Sequence, residues 1–236
     1  MAAGLIVCVP LHYLSVWTTG RSPWPRRFLG WVARRAGMRP RIAGKPVMRN
    51  VLILANHSSW LDIMLIAGAT GATFVSRDDV NDWPVAGWLS RLNHTIFVSR
   101  SAKSSVIEQA EALRRGLLTG QPVALFPEGT TDGGTQVLPF RASLLAAVSP
   151  PPEGIMVQPV AIDFGEAGPD VAWVGKEPAL QNVRRILSRR GTTPVTLRFL
   201  DPIDPGAIGD RKTLAATGRE AIVAALGASA QKTDHL

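Results

Sequence analysis

The chain of 236 residues is long enough for one globular domain with a sizeable core, and its 46% hydrophobic share excludes both a disordered chain and a protein with many membrane spans. A single cysteine, Cys8, excludes a disulfide framework and a cysteine-built metal site. The formal net charge of +8 indicates an anionic partner, either a nucleic acid or an anionic membrane surface.

The basic residues are concentrated near the N-terminus. The first fifty residues carry nine Lys or Arg, whereas the first acidic residue is Asp62. Residues 1–17 are mostly apolar and carry no formal charge, but a bilayer span needs about 20 residues and Pro10 interrupts this run. Residues 22–37 have Trp and Phe near one helical face with Arg largely opposite, which is typical of a helix lying in a membrane interface. A core-packed helix with a solvated basic face is the alternative, and the preceding apolar run favours the membrane. The sequence therefore predicts membrane-anchoring helices over 1–37 and a second domain over 38–236.

After residue 40, short β-rich runs alternate with helical runs. The predicted strands are Val51–Ala55, Phe74–Ser76, Thr95–Val98, Val123–Phe126, Ile155–Ile162, Val171–Val174 and Val195–Leu200. The predicted helices are Trp60–Ala69, Pro84–Leu92, Val106–Leu118, Phe140–Val148 and Leu214–Leu226. This alternation predicts an α/β fold with a mixed, largely parallel sheet flanked by helices. In such sheets, active groups gather where strands pass into loops.

The loop after the first buried strand carries a histidine and an aspartate. His57 comes just past the strand, and Asp62 follows five residues later in the first turns of a helix. A histidine titrates near neutral pH and is a natural general base, and a carboxylate on its far ring nitrogen would fix its tautomer. The pair supplies no serine-type nucleophile, so it suits a reaction in which the acceptor's own hydroxyl attacks. Taken alone, this spacing also occurs by chance, and a lone histidine is more often structural.

The loop after the strand Val123–Phe126 reads Pro127-Glu128-Gly129-Thr130-Thr131, followed by Asp-Gly-Gly. Glycines let the main chain approach a ligand closely, and consecutive N–H groups can hold an anion. Glu128 could bond an acceptor hydroxyl or amine, although a turn with a solvated glutamate is the simpler interpretation of the loop in isolation. The glycine spacing matches neither a P-loop nor a dinucleotide fingerprint.

The two loops together are more specific than either alone. NHSSWLD over 56–62 followed by FPEGTT over 126–131 resembles the glycerolipid acyltransferase family, typified by 1-acylglycerol-3-phosphate O-acyltransferases. Residues 95–100 (TIFVSR) and 157–161 (VQPVA) resemble two further blocks of that family, and all four blocks stand in the family's order. The resemblance implies that His57 is the general base with Asp62 as its partner, and that Pro159 lies near the acyl pocket. It implies an acyl-CoA or acyl-acyl carrier protein donor as co-substrate, with no cofactor. The remaining histidines, His12, His94 and His235, are scattered along the chain and suggest no metal site.

One position departs from the family's pattern. The family's third block usually has Arg where this chain has Thr131, and threonine offers neither the charge nor the forked donors of a phosphate-reading guanidinium. Arg141 is a candidate substitute. The string FPEGTTDGGTQVLPFR also resembles the branch that acylates lyso-ornithine lipids. The favoured acceptor is 1-acyl-glycerol-3-phosphate, to give phosphatidic acid, and a lyso-ornithine lipid is the alternative. The residues expected to bind the acceptor are Arg100, Glu128, Gly129, Thr130, Thr131 and Arg141.

A non-catalytic basic protein that binds membrane or nucleic acid is the alternative from another class. A nucleic-acid module should show base-stacking aromatics or a recognition motif, and this chain has one Tyr and tryptophans placed mostly near the N-terminus or beside apolar residues. The expected partners are therefore a membrane lipid, a thioester donor and the membrane surface, and not nucleic acid. The expected location is the cytoplasmic face of a bacterial inner membrane. A second basic cluster, Arg184 to Arg190, could meet donor phosphates, lipid headgroups or solvent, and solvent is the simplest interpretation.

Overall fold

The computed structural model describes residues 2–77, 81–82, 86–98, 106–175 and 177–233. Within these ranges the strands are β1 (Met38–Gly44), β2 (Val51–Ala55), β3 (Thr73–Arg77), β4 (Ile96–Val98), β5 (Val123–Leu125), β6 (Met156–Asp163) and β7 (Thr193–Phe199). The helices are α1 (Ala2–Thr19), α2 (Trp24–Arg35), α3 (Leu61–Thr70), α4 (Ala86–Leu92), α5 (Val106–Leu118), α6 (Gly168–Val171), α7 (Ala179–Leu187), α8 (Pro205–Ile208) and α9 (Arg211–Thr233). A 3₁₀ helix covers Ala142–Val148.

The strands form one sheet in the order β1-β7-β6-β2-β5-β3-β4. Neighbouring strands are parallel except for β6 and β7, which are antiparallel. The predicted fold class, an α/β fold with a mixed and largely parallel sheet, is confirmed. Because β2, β5 and β6 run in the same direction, the loops that follow them leave the sheet at one edge.

Helices cover both faces of this sheet. Strand β2 is buried along its whole length because its residues alternate between two cores: Val51 and Ile53 enter one, and Leu52 and Leu54 enter the other. The first core also takes side chains from α2, α3 and α7, and the second takes them from α5, α9 and the 3₁₀ helix. Helices α2, α3 and α7 therefore share one face.

The N-terminal helices α1 and α2 form an antiparallel pair. A Cβ atom placed on Gly4 would come within 2.8 Å of the Trp31 ring, and the Trp24 indole N–H donates to the Ser15 hydroxyl at 3.0 Å. Helix α2 in turn packs closely on α3, where a Cβ atom on Gly68 would lie 2.6 Å from the Cα of Gly30. Within the described part of the chain, no helix has the length and apolar character needed to cross a membrane.

Several local predictions differ from the structure. The predicted strand Val171–Val174 is wrong, because α6 ends at Val171 and the following main chain bonds to loops instead of a strand. The predicted helix Phe140–Val148 is the 3₁₀ helix Ala142–Val148. Strand β1 and helix α7 were not predicted. The predicted boundary between residues 37 and 38 falls at the turn between α2 and β1.

Candidate active site

The two motif loops meet at the edge of the sheet where β2 and β5 end. These strands are neighbours, and their pairing runs from Leu52 opposite Val123 to Leu54 opposite Leu125. The main-chain N–H of Asp132 donates to the carbonyl of His57 at 3.1 Å. Segments 56–62 and 126–132 are therefore joined by a main-chain hydrogen bond.

His57 and Asp62 form a hydrogen-bonded pair at this edge. The Nδ1 atom of His57 lies 2.9 Å from Oδ2 of Asp62, and the same oxygen accepts from the main-chain N–H groups of Ser58 and Ser59, both at 2.8 Å. Asp62 is fully buried in the first turn of α3, where the helix dipole favours a negative charge. The His57 side chain keeps 17% of its exposure. The carboxylate therefore holds one ring nitrogen, and the imidazole remains partly accessible.

The His57 ring also rests on an aromatic neighbour. Its centroid lies 4.0 Å from that of Phe126, with the planes 14° apart, and Phe126 stacks in turn with Phe74 at 6.0 Å. Hydrogen bonding at Nδ1 and stacking on the ring face together restrict rotation of the imidazole. Sequence reasoning missed Phe126, although its place directly after the buried strand β5 was a usable signal.

Glu128 points into the protein. One carboxylate oxygen accepts from the main-chain N–H of His57 at 2.8 Å, and the other accepts from that of Leu138 at 3.0 Å. The side chain is buried, and this burial outweighs the two hydrogen bonds and raises the pKa of Glu128 to about 7. Both oxygens bond to main-chain donors, so the carboxylate joins the two loops.

An arginine lies over the glycine turn of the second loop. Gly129 has φ +72°, and a Cβ atom there would meet Nε of Arg141 at 3.1 Å. The Arg141 side chain is exposed, and so is that of Thr130. Asp132 closes the turn by accepting from the main-chain N–H of Gly134 at 2.7 Å. An exposed guanidinium therefore stands beside the turn, where it can meet an anionic group.

The hydroxyl of Thr131 is hydrogen-bonded within the protein. It donates to the main-chain carbonyl of Trp173 at 2.6 Å, and the N–H of Trp173 donates to the carbonyl of Ser58 at 2.7 Å. Trp173 thereby bonds to both motif loops through its main chain. Sequence reasoning placed Trp173 in a strand and missed this bridge, which depends on tertiary contacts.

Two buried asparagines, Asn56 within the first loop and Asn182 in α7, hold this loop in place. The side chain of Asn56 donates to the carbonyl of Ile162 at 3.0 Å and accepts from its N–H at 2.8 Å, which ties the loop to β6. The side chain of Asn182 in α7 accepts from the indole N–H of Trp60 at 3.1 Å. These contacts hold the loop between the sheet and α7.

Two predicted residues lie apart from this arrangement. Pro159 is buried within β6, opposite Leu54 of β2, and its carbonyl accepts from the N–H of Leu200 at 3.0 Å. The structure does not bring it into the two loops, and its place near an acyl pocket stays a prediction. Arg100 lies outside the described residues.

Comparisons with known proteins identify the family of this chain. A family model described as Acyltransferase matches residues 32–163. The lyso-ornithine lipid O-acyltransferase of Brucella abortus is 32% identical over 92% of this chain and 87% of its own length, and that of Pseudomonas aeruginosa is 36% identical over 86% and 79%. The 1-acyl-sn-glycerol-3-phosphate acyltransferase of Neisseria gonorrhoeae is 31% identical over 70% of this chain and 64% of its own length.

The crystal structure of the 1-acyl-sn-glycerophosphate acyltransferase PlsC from Thermotoga maritima has the same fold, with a TM-score of 0.67 at 22% identity. The match covers 96% of this chain and 90% of that one. The family model and the long matches at more than 30% identity show that this chain belongs to the acyltransferase family.

Proposed function

We propose that this acyltransferase is membrane-associated and moves a fatty acyl group from a thioester to the free hydroxyl of a lysolipid. The observation that carries the proposal is the imidazole of His57, which Asp62 holds through Nδ1 while the ring stays partly accessible. This arrangement suits a general base acting through Nε2. We assign His57 that role and Asp62 the role of orienting it and stabilising its protonated form.

In this mechanism the hydroxyl oxygen of the acceptor attacks the thioester carbonyl carbon, and Nε2 of His57 takes the hydroxyl proton. The new C–O ester bond forms as the C–S bond breaks, and the thiolate leaves with the electron pair of that bond. The imidazolium returns its proton to the thiolate, which restores the neutral ring. Asp62 favours the intermediate imidazolium because its buried carboxylate accepts from Nδ1–H throughout. The donor would be acyl-CoA or acyl-acyl carrier protein.

We propose a lyso-ornithine lipid as the acceptor. Four relatives that carry this activity in their names align with 86–92% of the chain, whereas the Neisseria relative that acts on 1-acyl-glycerol-3-phosphate aligns with 70%. Thr131, which replaces a cationic residue, uses its hydroxyl on Trp173 and offers no charge to a phosphate. An ornithine headgroup has a carboxylate in place of a phosphate, and Arg141 beside Gly129 could pair with it.

A glycerophosphate acceptor remains the second candidate. The exposed guanidinium of Arg141 suits a phosphate as well as a carboxylate. Because Thr131 is neutral, Arg141 is the cation among the described residues at this turn that could bind the phosphate. The two acceptors therefore differ in how much charge the site must supply.

We place the enzyme on the cytoplasmic face of a bacterial inner membrane. Helix α1 exposes large apolar side chains, including Ile6 at 73% and Trp17 at 83%. In α2 the guanidinium of Arg27 lies 4.9 Å from the ring centroid of Trp24, a combination that suits the headgroup region of a bilayer. The relatives with the proposed activity are bacterial.

The decisive experiment gives purified full-length protein each acceptor with each donor, in detergent micelles. We expect ester product from a lyso-ornithine lipid with higher kcat/KM than from 1-acyl-glycerol-3-phosphate. Fatty acid released without acceptor measures hydrolysis in the same assay. Efficient turnover of the glycerophosphate alone would reverse the acceptor assignment. Absence of product from any pair, with an intact fold, would favour a non-catalytic membrane-binding protein.

A further inference from the structure

The sheet topology brings the ends of two basic helices to the edge that carries the active site. Strand β7 is antiparallel to β6, and β1 is parallel to β7, so β1 and β7 begin where β6 ends. Helices α2 and α7 lead into these two strands. Their ends are also neighbours, because the N–H of Thr193 donates to the carbonyl of Gly37 at 2.9 Å and Gly191 lies beside Gly37.

The outer face of α7 is apolar as well as basic. Its inner face buries Asn182 and Ile186, whereas Leu180 is 73% exposed and Leu187 is 41% exposed. Val174, in the segment before the helix, is also exposed. Large apolar side chains grouped on one helix face indicate contact with something other than water.

Part of the charge on this surface has no acidic partner. Arg185 pairs with Glu177 at 3.0 Å, and Arg189 lies 3.6 Å from Asp170. In the last turn of α2, in α7 and in the loop that follows α7, the exposed arginines that have no ion pair within the described ranges are Arg34, Arg35, Arg184 and Arg190. These four cations lie at the ends of α2 and α7 or on the outer face of α7, so they form one basic region.

We infer that the outer face of α7, with the arginine ends of α2 and α7, is a membrane-contact surface that binds anionic lipid headgroups. This inference rests on the proposed function, in which the acceptor is itself a membrane lipid. Leucines interspersed with arginines on a helix are typical of an element in the bilayer interface, where apolar side chains enter the acyl region and cations meet headgroups. A surface at this edge of the sheet lets a lysolipid reach His57 without leaving the membrane.

The occupant could instead be an acidic carrier protein, and the exposed leucines favour the bilayer over that alternative. Helix α7 is linked to the catalytic loop through Asn182 and Trp60, so the test must leave the inner face of α7 intact. Two variants change only outer positions. One is Arg184→Glu with Arg190→Glu, and the other is Leu180→Ser with Leu187→Ser.

Matched controls lie on the opposite face of the sheet. Arg115→Glu with Lys212→Glu makes the same change in net charge on α5 and α9, and Leu118→Ser with Val223→Ser removes exposed apolar side chains there. Binding of each full-length protein to phosphatidylglycerol–phosphatidylcholine vesicles is measured by lipid titration and flotation. Turnover is measured in detergent micelles, with acyl-CoA and with acyl-acyl carrier protein.

We expect the α7 charge variant to bind anionic vesicles at least tenfold more weakly than wild type, because it replaces two cations near the lipid surface with two anions. The serine variant should weaken binding to neutral and anionic vesicles alike. Both should keep micellar turnover within about twofold, and the controls should bind like wild type. Equal loss in the controls would overturn the inference. Unchanged vesicle binding by the α7 variants would also overturn it. If, in addition, their turnover fell only with acyl-acyl carrier protein, the outer face of α7 would be assigned to the carrier protein. Vesicle binding requires no catalysis, so failure of the proposed activity would be recognised separately.

Discussion

The main-chain N–H of His57 donates a 2.8 Å hydrogen bond to the carboxylate of Glu128, 71 residues further along the chain. The second oxygen of Glu128 holds the N–H of Leu138, so one buried side chain joins three segments. The position of the catalytic candidate therefore depends on the second loop as well as its own. Substitutions at Glu128 and at His57 therefore probe different things, the support of the loop and the chemistry of the imidazole.

The first prediction concerns the ionisation of Glu128. Burial raises its folded-state pKa from 4.5 to about 7, so between these values the folded protein holds a proton that the unfolded chain releases. Stability should therefore fall as pH rises from about 4.5 to 7, by on the order of 3 kcal/mol for this group. Glu128→Gln should remove that dependence. Urea unfolding in detergent at pH 5 and pH 8 measures it.

The matched control for this test is Glu111→Gln on the exposed side of α5. It should unfold with the pH dependence of wild type. If Glu128→Gln also kept the wild-type dependence, the buried carboxyl would not be its source.

The second prediction is that His57→Ala lowers kcat by about 10²–10⁴-fold with an intact fold. Asp62→Asn should also be strongly impaired, because an amide near Nδ1 no longer selects the tautomer that leaves Nε2 basic. Circular dichroism and thermal unfolding check the fold, and single-turnover acyl transfer measures the chemistry. Near-normal turnover by a folded His57→Ala protein would refute the mechanism.

The third prediction concerns the ring beneath His57. Phe126→Leu should lower kcat about 2- to 13-fold, because an aromatic pair contributes about 0.5–1.5 kcal/mol beyond its buried area and here restrains the imidazole. The acceptor KM should change little. Phe74→Leu is the control, since Phe74 stacks on Phe126. Equal losses of kcat in both variants would mean that the aromatic stack acts only through stability.

The fold was predictable where local pattern and tertiary packing agree. Val51–Ala55 and Val106–Leu118 have the predicted bounds, because one is a continuous apolar run and the other has a clear helical period. Strand β1 (Met38–Gly44) has an exposed, basic and proline-containing pattern, so its pairing with β7 could not be inferred locally. Helix α7 was not predicted because its arginines were interpreted as a basic cluster and not as part of an amphipathic helix.

Within the site, only the contact between His57 and Asp62 was predictable from the sequence. His57 and Asp62 are five residues apart, so a strand-to-helix loop sets their geometry. The partners of Glu128 and the bridge through Trp173 depend on long-range contacts that no local pattern encodes. A glutamate after a strand end resembles a substrate ligand in sequence, whereas here both its oxygens hold the main chain.

The fourth prediction concerns the exposed cation beside Gly129. Arg141→Ala should raise the acceptor KM at least tenfold, because a charged hydrogen bond is worth roughly 1.5–3 kcal/mol. Arg115→Ala on α5, also exposed, should leave KM unchanged. Initial rates against acceptor concentration measure both. An unchanged KM for Arg141→Ala would remove this residue from the acceptor site.

The last prediction separates the two roles open to Thr131, which are to hold the loop and to select the headgroup. Thr131→Ser keeps a hydroxyl for the carbonyl of Trp173 and should behave like wild type. Thr131→Val removes that donor and so loses a hydrogen bond that contributes about 1 kcal/mol to the stability of the folded loop. It should lower the turnover of both acceptors by a similar factor. These two variants isolate the contribution of the hydrogen bond.

Thr131→Arg then adds the cation that the family's third sequence block usually has at this position. It also loses the hydrogen bond to Trp173, so its effect must be compared with that of Thr131→Val and not with wild type alone. If the native acceptor is a lyso-ornithine lipid, the guanidinium approaches the ornithine amine and should hinder it, while a glycerophosphate gains a charged partner. We expect the ratio of kcat/KM for the ornithine acceptor over the glycerophosphate to fall at least tenfold in Thr131→Arg and to stay constant in Thr131→Val. A constant ratio in both variants would mean that position 131 supports the loop without reading the headgroup, and the acceptor assignment would then depend on Arg141 and the relatives alone.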